Sequence, residues 1–295
     1  TQVFKGRANY EPNSLSDAGE DGGPRECPVA GFKTFIGRSD NEEQGDKLRL
    51  RPESFADHYS QARMFFESQT ENEKAHIASA LVFELSKVTL EHIPPRLVAN
   101  LRNVSDELAK RVAAGLGIPL PKKASSAQPT QDFPRSDALS IQKNMKPILE
   151  GRTIGILIAD GTDAANLTKL RKLIEKAGAK AKIVAPKITG IGLSDGTMVK
   201  VDGQLAGAPS PIFDAVAVLL SADSAKMLAK DAVAIQWVMD AFGHLKAIGH
   251  NAESQPLLSK AYVEKDEGIT GTDAKFIQAA SQRFWKREAS VRKLA

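Results

Sequence analysis

A chain of 295 residues, 42% of them hydrophobic, can form one large domain or two ordinary domains with a buried core. One cysteine excludes an internal disulfide and a cysteine-rich metal site, and no apolar run approaches the roughly 20 residues of a membrane helix. The formal net charge of +4 is small and scattered, so we expect a cytoplasmic protein without a nucleic-acid or membrane partner.

Residues 1–57 show no hydrophobic periodicity and are rich in turn residues around 19–24. A loop of that length is uncommon inside a compact domain unless it is functional or lies against another surface. We therefore predict an extended arm that wraps a partner. Cys27 lies in this arm, and we interpret it as an incidental surface thiol.

Residues 58–117 have a helical pattern and are predicted to form a small helical segment. Thr70 and Glu73 form a capping box that starts one helix, and a Pro-Pro pair suits the start of a second. A third helix is predicted to begin at Ser105 and to end at Gly115.

Three short helices bury too little apolar surface to be stable alone, so we expect this segment to pack against a partner. The apolar surface that a partner would cover is predicted to come from Phe65, Phe66, Leu81 and Leu85. Residues 118–150 follow with five prolines, which predicts a partly extended, mobile linker.

Residues 151–295 open with a βαβ pattern at 153–187, in which two short apolar runs flank a stretch of helical periodicity. The first turn contains neither a G-x-G-x-x-G motif nor a phosphate-loop lysine, so it has no dinucleotide or nucleoside-triphosphate signature. Asp-Gly pairs at Asp195 and Asp202 predict a small β-hairpin excursion. Further strands at 215–220 and 247–249 alternate with helices, which predicts a doubly wound α/β domain.

Three stretches, at 9–14 (N-Y-E-P-N-S), 55–66 and 84–88, resemble the part of haem catalases that follows the haem-binding region. The later α/β portion resembles the extra C-terminal domain of large-subunit catalases. That domain is flavodoxin-like and is similar to DJ-1/PfpI proteins and class I glutamine amidotransferases. The resemblance runs from about Lys5 to Trp285, so the chain is expected to be the C-terminal region of such a catalase.

The resemblance implies a parent protein that disproportionates hydrogen peroxide with haem in defence against oxidative stress. Catalases use a distal histidine, a distal asparagine and a proximal tyrosine ligand, and in the family these motifs precede the N-Y-E-P-N element. Tyr10, Tyr59 and Tyr262 have no haem-ligand context. The resemblance therefore implies that this chain binds no cofactor or metal and is inactive alone. The implied partners are the catalase haem domain and the sister subunits of a homotetramer.

Within the α/β domain, DJ-1-like enzymes place a cysteine nucleophile on a strand-to-helix elbow. The resemblance aligns that position with Gly249, followed by His250 and Glu253, and makes Asp163 the counterpart of the activating acid. We therefore predict a degenerate elbow without a catalytic residue, where Gly249 allows close packing and His250 hydrogen-bonds the turn. Two alternatives stay open: a chaperone-like domain that holds unfolded clients, and a residual hydrolase or amidase with His250 as its base.

Overall fold

The computed structural model describes residues 49–292, and the arm predicted at 1–57 lies mostly outside them. The described elements belong to one compact unit within Glu53–Ala295. The helical segment of this unit has four α-helices among the described residues, one more than predicted. They are α1 (Ser60–Ser68), α2 (Glu71–Leu85), α3 (Ile93–Val104) and α4 (Asp106–Leu116).

The ends of these helices follow their local sequence. The capping box of α2 is confirmed, because the Thr70 side chain accepts from the Glu73 backbone while the Glu73 carboxylate accepts from the Thr70 backbone. Ser105 caps α4 as predicted. The helix continues through Gly115 to Leu116, and its C-cap is Gly117, whose φ of 69° is the left-handed conformation that terminates helices. The terminating glycine therefore lies two residues beyond the predicted Gly115.

The helical segment has a small core of its own. Phe66, Val98 and Val112 are at most 2% exposed, and Leu85 is also buried. Of the four side chains predicted to form the partner surface, only Phe65 is among the exposed large side chains. The prediction failed for Phe66 because consecutive helical residues point about 100° apart, so α1 turns one phenylalanine inward and the other outward.

Residues 118–150, called the strap below, have no strand and contain only a 3-10 turn (Asp137–Leu139) and one short α-helix, α5 (Ile141–Asn144). Their backbone is hydrogen-bonded to the helical segment. Ala124 N donates to Ala99 O at 3.0 Å, and Gln131 N donates to Ser60 Oγ at 2.8 Å. These contacts do not fit the expected mobile linker, because a segment that donates backbone hydrogen bonds to a neighbour is held in place.

Glu73 joins α2 to the strap. Its carboxylate accepts hydrogen bonds from Thr70 N at 2.9 Å, Gln142 N at 2.9 Å and Ser140 Oγ at 2.8 Å. Partial burial raises the pKa of Glu73, but the hydrogen bonds from Gln142, Thr70 and Ser140 together outweigh it and hold the pKa below its usual value. The ionised carboxylate therefore stabilises the junction.

Replacing Glu73 by glutamine is expected to lower the free energy of unfolding by about 1–3 kcal/mol at neutral pH. The NH2 group of glutamine is a donor, so it would face the donors that the carboxylate now accepts from. Since the folded-state pKa is depressed, this contribution is present above the ordinary pKa of 4.5 and is lost as pH falls through the folded value. Urea unfolding of the wild type and of Glu73→Gln, measured from neutral to acidic pH, should therefore show that their difference in free energy of unfolding becomes smaller in acid. Glu84→Gln, at an exposed position of the same helix, is the matched control and should have little effect. A difference for Glu73→Gln that stays constant into acid would show that charge is not the cause.

The α/β domain contains eight strands among the described residues. They are β1 (Thr153–Ile158), β2 (Lys180–Ala185), β3 (Ile191–Gly192), β4 (Met198–Val199), β5 (Gly203–Gln204), β6 (Ala215–Leu219), β7 (Ile248–His250) and β8 (Ile269–Thr270). Six of them form a parallel sheet in the order β5-β2-β1-β6-β7-β8. Without the two-residue edge strand β5, this is the flavodoxin order, so the predicted fold class is confirmed.

Helices cover both faces of this sheet. They are α6 (Ala164–Lys176), α7 (Ala222–Leu228), α8 (Ala232–Gly243), α9 (Gln255–Lys260), α10 (Ala274–Ala280) and α11 (Glu288–Val291). The side chains of β1 alternate between the two faces. Ile156 packs in the core that α6 and α10 cover, while Leu157 packs in the core that α7, α8 and α9 cover. None of the helices at 49–292 is long and apolar enough to cross a membrane.

Only one of the two Asp-Gly pairs makes a hairpin. Asp195 lies in the turn between β3 and β4, which pair antiparallel as predicted. At the other pair, Gly203 begins β5, which joins the main sheet parallel to β2. Asp202 explains the difference, because its Oδ2 accepts from Ile183 N at 2.8 Å and its Oδ1 accepts from Lys182 Nζ at 3.2 Å. This aspartate anchors an edge strand instead of closing a turn.

Candidate functional site at the carboxyl edge of the sheet

The strand order of the parallel sheet reverses between β1 and β6. The chain runs from β1 outward through β2 to β5, then returns to β6 and runs outward through β7 to β8. In open α/β sheets, ligands bind at the carboxyl ends of the strands beside such a reversal. The residues that follow β1, β6 and β7 therefore form the candidate functional site.

The turn after β1 carries two aspartates that serve local structure. Asp160 Oδ2 accepts from Lys187 Nζ at 2.9 Å and Oδ1 accepts from Gly192 N at 3.1 Å. The hydrogen bond from Lys187, followed by that from Gly192, lowers the pKa of Asp160, so this carboxylate is not a proton donor at neutral pH. Asp163 accepts from Asn166 N at 2.7 Å and is the N-cap of α6.

Direct hydrogen bonds close the crevice between the turns after β1 and β6. Ser224 Oγ donates to Asp160 O at 2.6 Å, and Ser221 Oγ donates to the same oxygen at 3.2 Å. Thr162, which is fully buried, donates from Oγ1 to Leu219 O at 2.8 Å. The hydroxyl groups at the strand reversal are therefore used to join the two turns.

At the predicted elbow, Gly249 lies inside β7 against an aromatic ring of α10. A Cβ at position 249 would stand 2.8 Å from Phe276 Cδ2, too close for a side chain without movement of the ring. His250 Nδ1 lies 2.9 Å from Asn251 O. Because a carbonyl oxygen only accepts, Nδ1 carries the proton in this contact. Gly249 thus makes a close packing contact, and His250 makes a hydrogen bond within the turn.

Asn251 is the organising side chain of this turn, and the sequence analysis missed it. Its Nδ2 donates to Leu220 O at 2.7 Å and its Oδ1 accepts from Leu220 N at 3.2 Å, which ties β7 to the end of β6. The same Nδ2 donates to Glu253 Oε2 at 2.8 Å. His250 and Glu253 thus each contact Asn251. The detectable signal was an Asn immediately after a buried strand, a position that favours side-chain to backbone hydrogen bonds.

Asp163 and His250 lie at the carboxyl edge of the sheet, at the ends of different strands. Asp163 follows β1, whereas His250 ends β7, and β6 lies between those strands. Two strand spacings of about 4.8 Å separate the two backbones by roughly 10 Å. Asp163 is also the N-cap of α6, where its Oδ1 accepts from Asn166 N.

A second polar side chain that the sequence analysis missed is Lys246, which is 3% exposed and lies before β7. Its Nζ donates to Ser210 O and Pro211 O, both at 2.8 Å, and to Phe213 O. Burial lowers the pKa of Lys246 to about 8. Three carbonyl acceptors nevertheless match the three N–H groups of the charged amine, so this lysine has a structural role.

The described residues do not fit a haem or a metal ion. Tyr59 OH donates to Asn100 Oδ1 at 3.2 Å, and Tyr262 is 81% exposed, so neither is an enclosed iron ligand. Tyr10 lies outside the described residues. Within 49–292, histidines, aspartates and glutamates do not form a group of three that could hold a metal.

Two family models match this chain. Residues 52–116 match the family described as catalase-related immune-responsive. Residues 150–289 match the family described as the C-terminal domain found in long catalases. The two matches cover the helical segment and nearly all of the described α/β domain.

Known proteins are similar over almost the whole chain. Catalase C of Rhizobium meliloti is 46% identical over 297 residues, which is 97% of this chain and 41% of that protein. Catalase HPII of Pseudomonas aeruginosa is 38% identical over 98% of this chain and 41% of its own length. Catalase-B of Dictyostelium discoideum is 31% identical over 99% of this chain and 43% of its own length. The chain therefore spans about two fifths of the length of these relatives.

Proposed function

We propose that this chain, which is the C-terminal part of a large-subunit catalase, stabilises and assembles the haem-bearing part of the protein and performs no chemistry itself. The activity proposed for the whole protein is haem-dependent disproportionation of hydrogen peroxide in defence against oxidative stress. The proposed partners are the catalase haem domain and the sister subunits of a homotetramer.

The distribution of exposed phenylalanines carries this proposal. Phe55, Phe65, Phe83 and Phe133 are 39–62% exposed, and all four lie in the helical segment, the strap or the 3-10 turn before α1. The four phenylalanines of the α/β domain are instead 0–9% exposed; they are Phe213, Phe242, Phe276 and Phe284. Aromatic side chains such as phenylalanine are enriched at protein interfaces. The helical part of the chain is therefore the proposed docking surface.

The carboxyl edge of the sheet supports the absence of chemistry. Gly249 offers no nucleophile, Phe276 fills the space above it, and His250 Nδ1 is engaged with Asn251 O. A degenerate elbow at Gly249, His250 and Glu253, derived from a DJ-1-like ancestor, remains our proposal for this edge. A residual hydrolase would need a nucleophile from outside these residues.

The assembly role can be tested in trans. The haem-bearing part of Catalase C from Rhizobium meliloti, without its own C-terminal region, is mixed with this chain and followed by sedimentation velocity. We expect a complex that Phe55→Ser/Phe83→Ser weakens by about tenfold or more, because exposed aromatic groups are typical binding hot spots. Met227→Ser, at a residue of the α/β domain with comparable exposure, is the matched control and should leave binding unchanged.

Two results would contradict the assembly role: no complex with the wild-type chain, or equal weakening by Met227→Ser. The chaperone alternative predicts a different pattern. In that case the wild-type chain would suppress heat aggregation of an unrelated protein, the phenylalanine variant would lose that effect, and no defined complex with the haem-bearing part would form.

A further inference from the structure

A cavity of about 660 Å³ lies at the amino edge of the sheet, opposite the edge where such folds place their ligands. Its walls come from the strap through Gln142, from the loop 264–267 before β8, and from residues 282–290 around α11. This volume is in the range of small-molecule sites. We propose that it binds a small aromatic carboxylate.

An unpartnered donor in the wall supports an anionic ligand. Trp285 lines the cavity, and its indole Nε1 is buried without a hydrogen-bond acceptor among the described residues. An indole N–H is a donor only, so the group that satisfies it must accept. Buried donors without an acceptor are unfavourable, and a ligand oxygen beside Trp285 would remove that cost.

Cationic side chains supply the charge. Lys265 and Lys286 are exposed at the rim, and Arg283 contributes a partly buried guanidinium that donates Nη1 to Asp214 O at 2.7 Å. Glu264 and Glu267 are also in the lining, and Glu267 lies 3.9 Å from Lys286 Nζ. The lining therefore keeps a positive excess, which favours a carboxylate over a neutral or cationic group.

Aromatic walls supply the apolar part of the site. Phe284 and Trp285 line the cavity, and planar rings pack well against such faces. One wall is held rigid: Arg287 makes two hydrogen bonds to Asp266, at 2.6 and 2.8 Å, and stacks 4.1 Å from the Phe242 ring centroid. Because this ion pair is already satisfied, Arg287 shapes the site, and Arg283 and Lys265 remain to meet the carboxylate.

The probes are benzoate and indole-3-acetate, with benzamide as the neutral counterpart of benzoate. Binding to the full chain is measured by calorimetry and by tryptophan fluorescence. The chain has two tryptophans, and Trp237 is 2% exposed, so Trp285 is the reporter at the cavity. At least one carboxylate is expected to bind saturably, with a dissociation constant of about 1 mM or tighter, and benzamide about tenfold more weakly.

Two variants test the site itself. Lys265→Glu should weaken carboxylate binding about tenfold, whereas Lys260→Glu, an equal charge change at an exposed lysine outside the cavity, should not. Trp285→Phe should abolish the fluorescence change and weaken binding in the calorimeter. Any of three results would overturn the proposal. The first is that neither carboxylate binds saturably, and the second is that benzoate and benzamide bind equally. The third is that the two lysine variants have equal affinities.

Discussion

Replacing Arg287 by methionine is expected to lower the free energy of unfolding by about 2–4 kcal/mol, because its buried guanidinium donates four hydrogen bonds, two of them to a carboxylate. Arg287 is 4% exposed. Besides its two bonds to Asp266, its Nη1 donates to Lys246 O at 2.9 Å and Phe242 O at 3.2 Å. The variant leaves an aspartate and two carbonyl groups without their donor, although methionine keeps much of the apolar volume.

Urea unfolding followed by circular dichroism measures this loss. Lys286→Met is the matched control, because the neighbouring lysine side chain is 95% exposed and its one carboxylate contact is at 3.9 Å. Its stability should stay within about 0.5 kcal/mol of wild type. A small loss for Arg287→Met, equal to that of the control, would show that the C-terminal residues do not hold the α/β domain together.

Gly249→Ala is the second large effect we expect, a loss of about 1–3 kcal/mol, because overpacking in a rigid core forces side chains from their preferred positions. The new Cβ would stand 2.8 Å from Phe276 Cδ2 and 3.0 Å from its Cγ. Phe276→Leu should relieve the contact, so the double variant should be more stable than the sum of the two single losses predicts.

Thermal and urea unfolding of Gly249→Ala, Phe276→Leu and the double variant measure the coupling free energy between the two positions. Gly243→Ala is the matched control, since no atom lies within 4 Å of a Cβ at that position and alanine favours a helix. It should be neutral or slightly stabilising. Strictly additive losses for Gly249→Ala and Phe276→Leu would mean that the ring does not exclude a side chain from the elbow. If Gly249→Ala were as stable as the wild type, position 249 would have room for a side chain, including that of a nucleophile.

The sequence predicted the elements that depend on neighbouring residues. The capping box at Thr70 and Glu73 and the βαβ unit at 153–187 rest on fixed local spacings, and the parallel sheet followed from the alternation of strands and helices. The hairpin at Asp195 was also local, whereas Asp202 was misassigned because its partners lie about 20 residues earlier, on β2.

Contacts between distant residues account for what the sequence did not predict. The strap hydrogen bonds depend on α1 and α3, and the Arg287–Asp266 pair joins residues 21 positions apart. At the candidate site, Gly249 and His250 were singled out by the resemblance, which was aligned on the predicted strand at 247–249. The ring of Phe276 above Gly249 and the bonds from Asn251 to Leu220 became visible only in three dimensions.

Haem reconstitution tests the central claim most directly. The purified chain is incubated with hemin, repurified, and measured for a Soret band and for oxygen release from hydrogen peroxide. Because Tyr59 is hydrogen-bonded to Asn100 and Tyr262 is exposed, we expect neither stoichiometric haem nor peroxide disproportionation. A Soret band near one haem per chain, with oxygen release that survives repurification, would contradict the proposal that this chain supports a catalase without performing its chemistry.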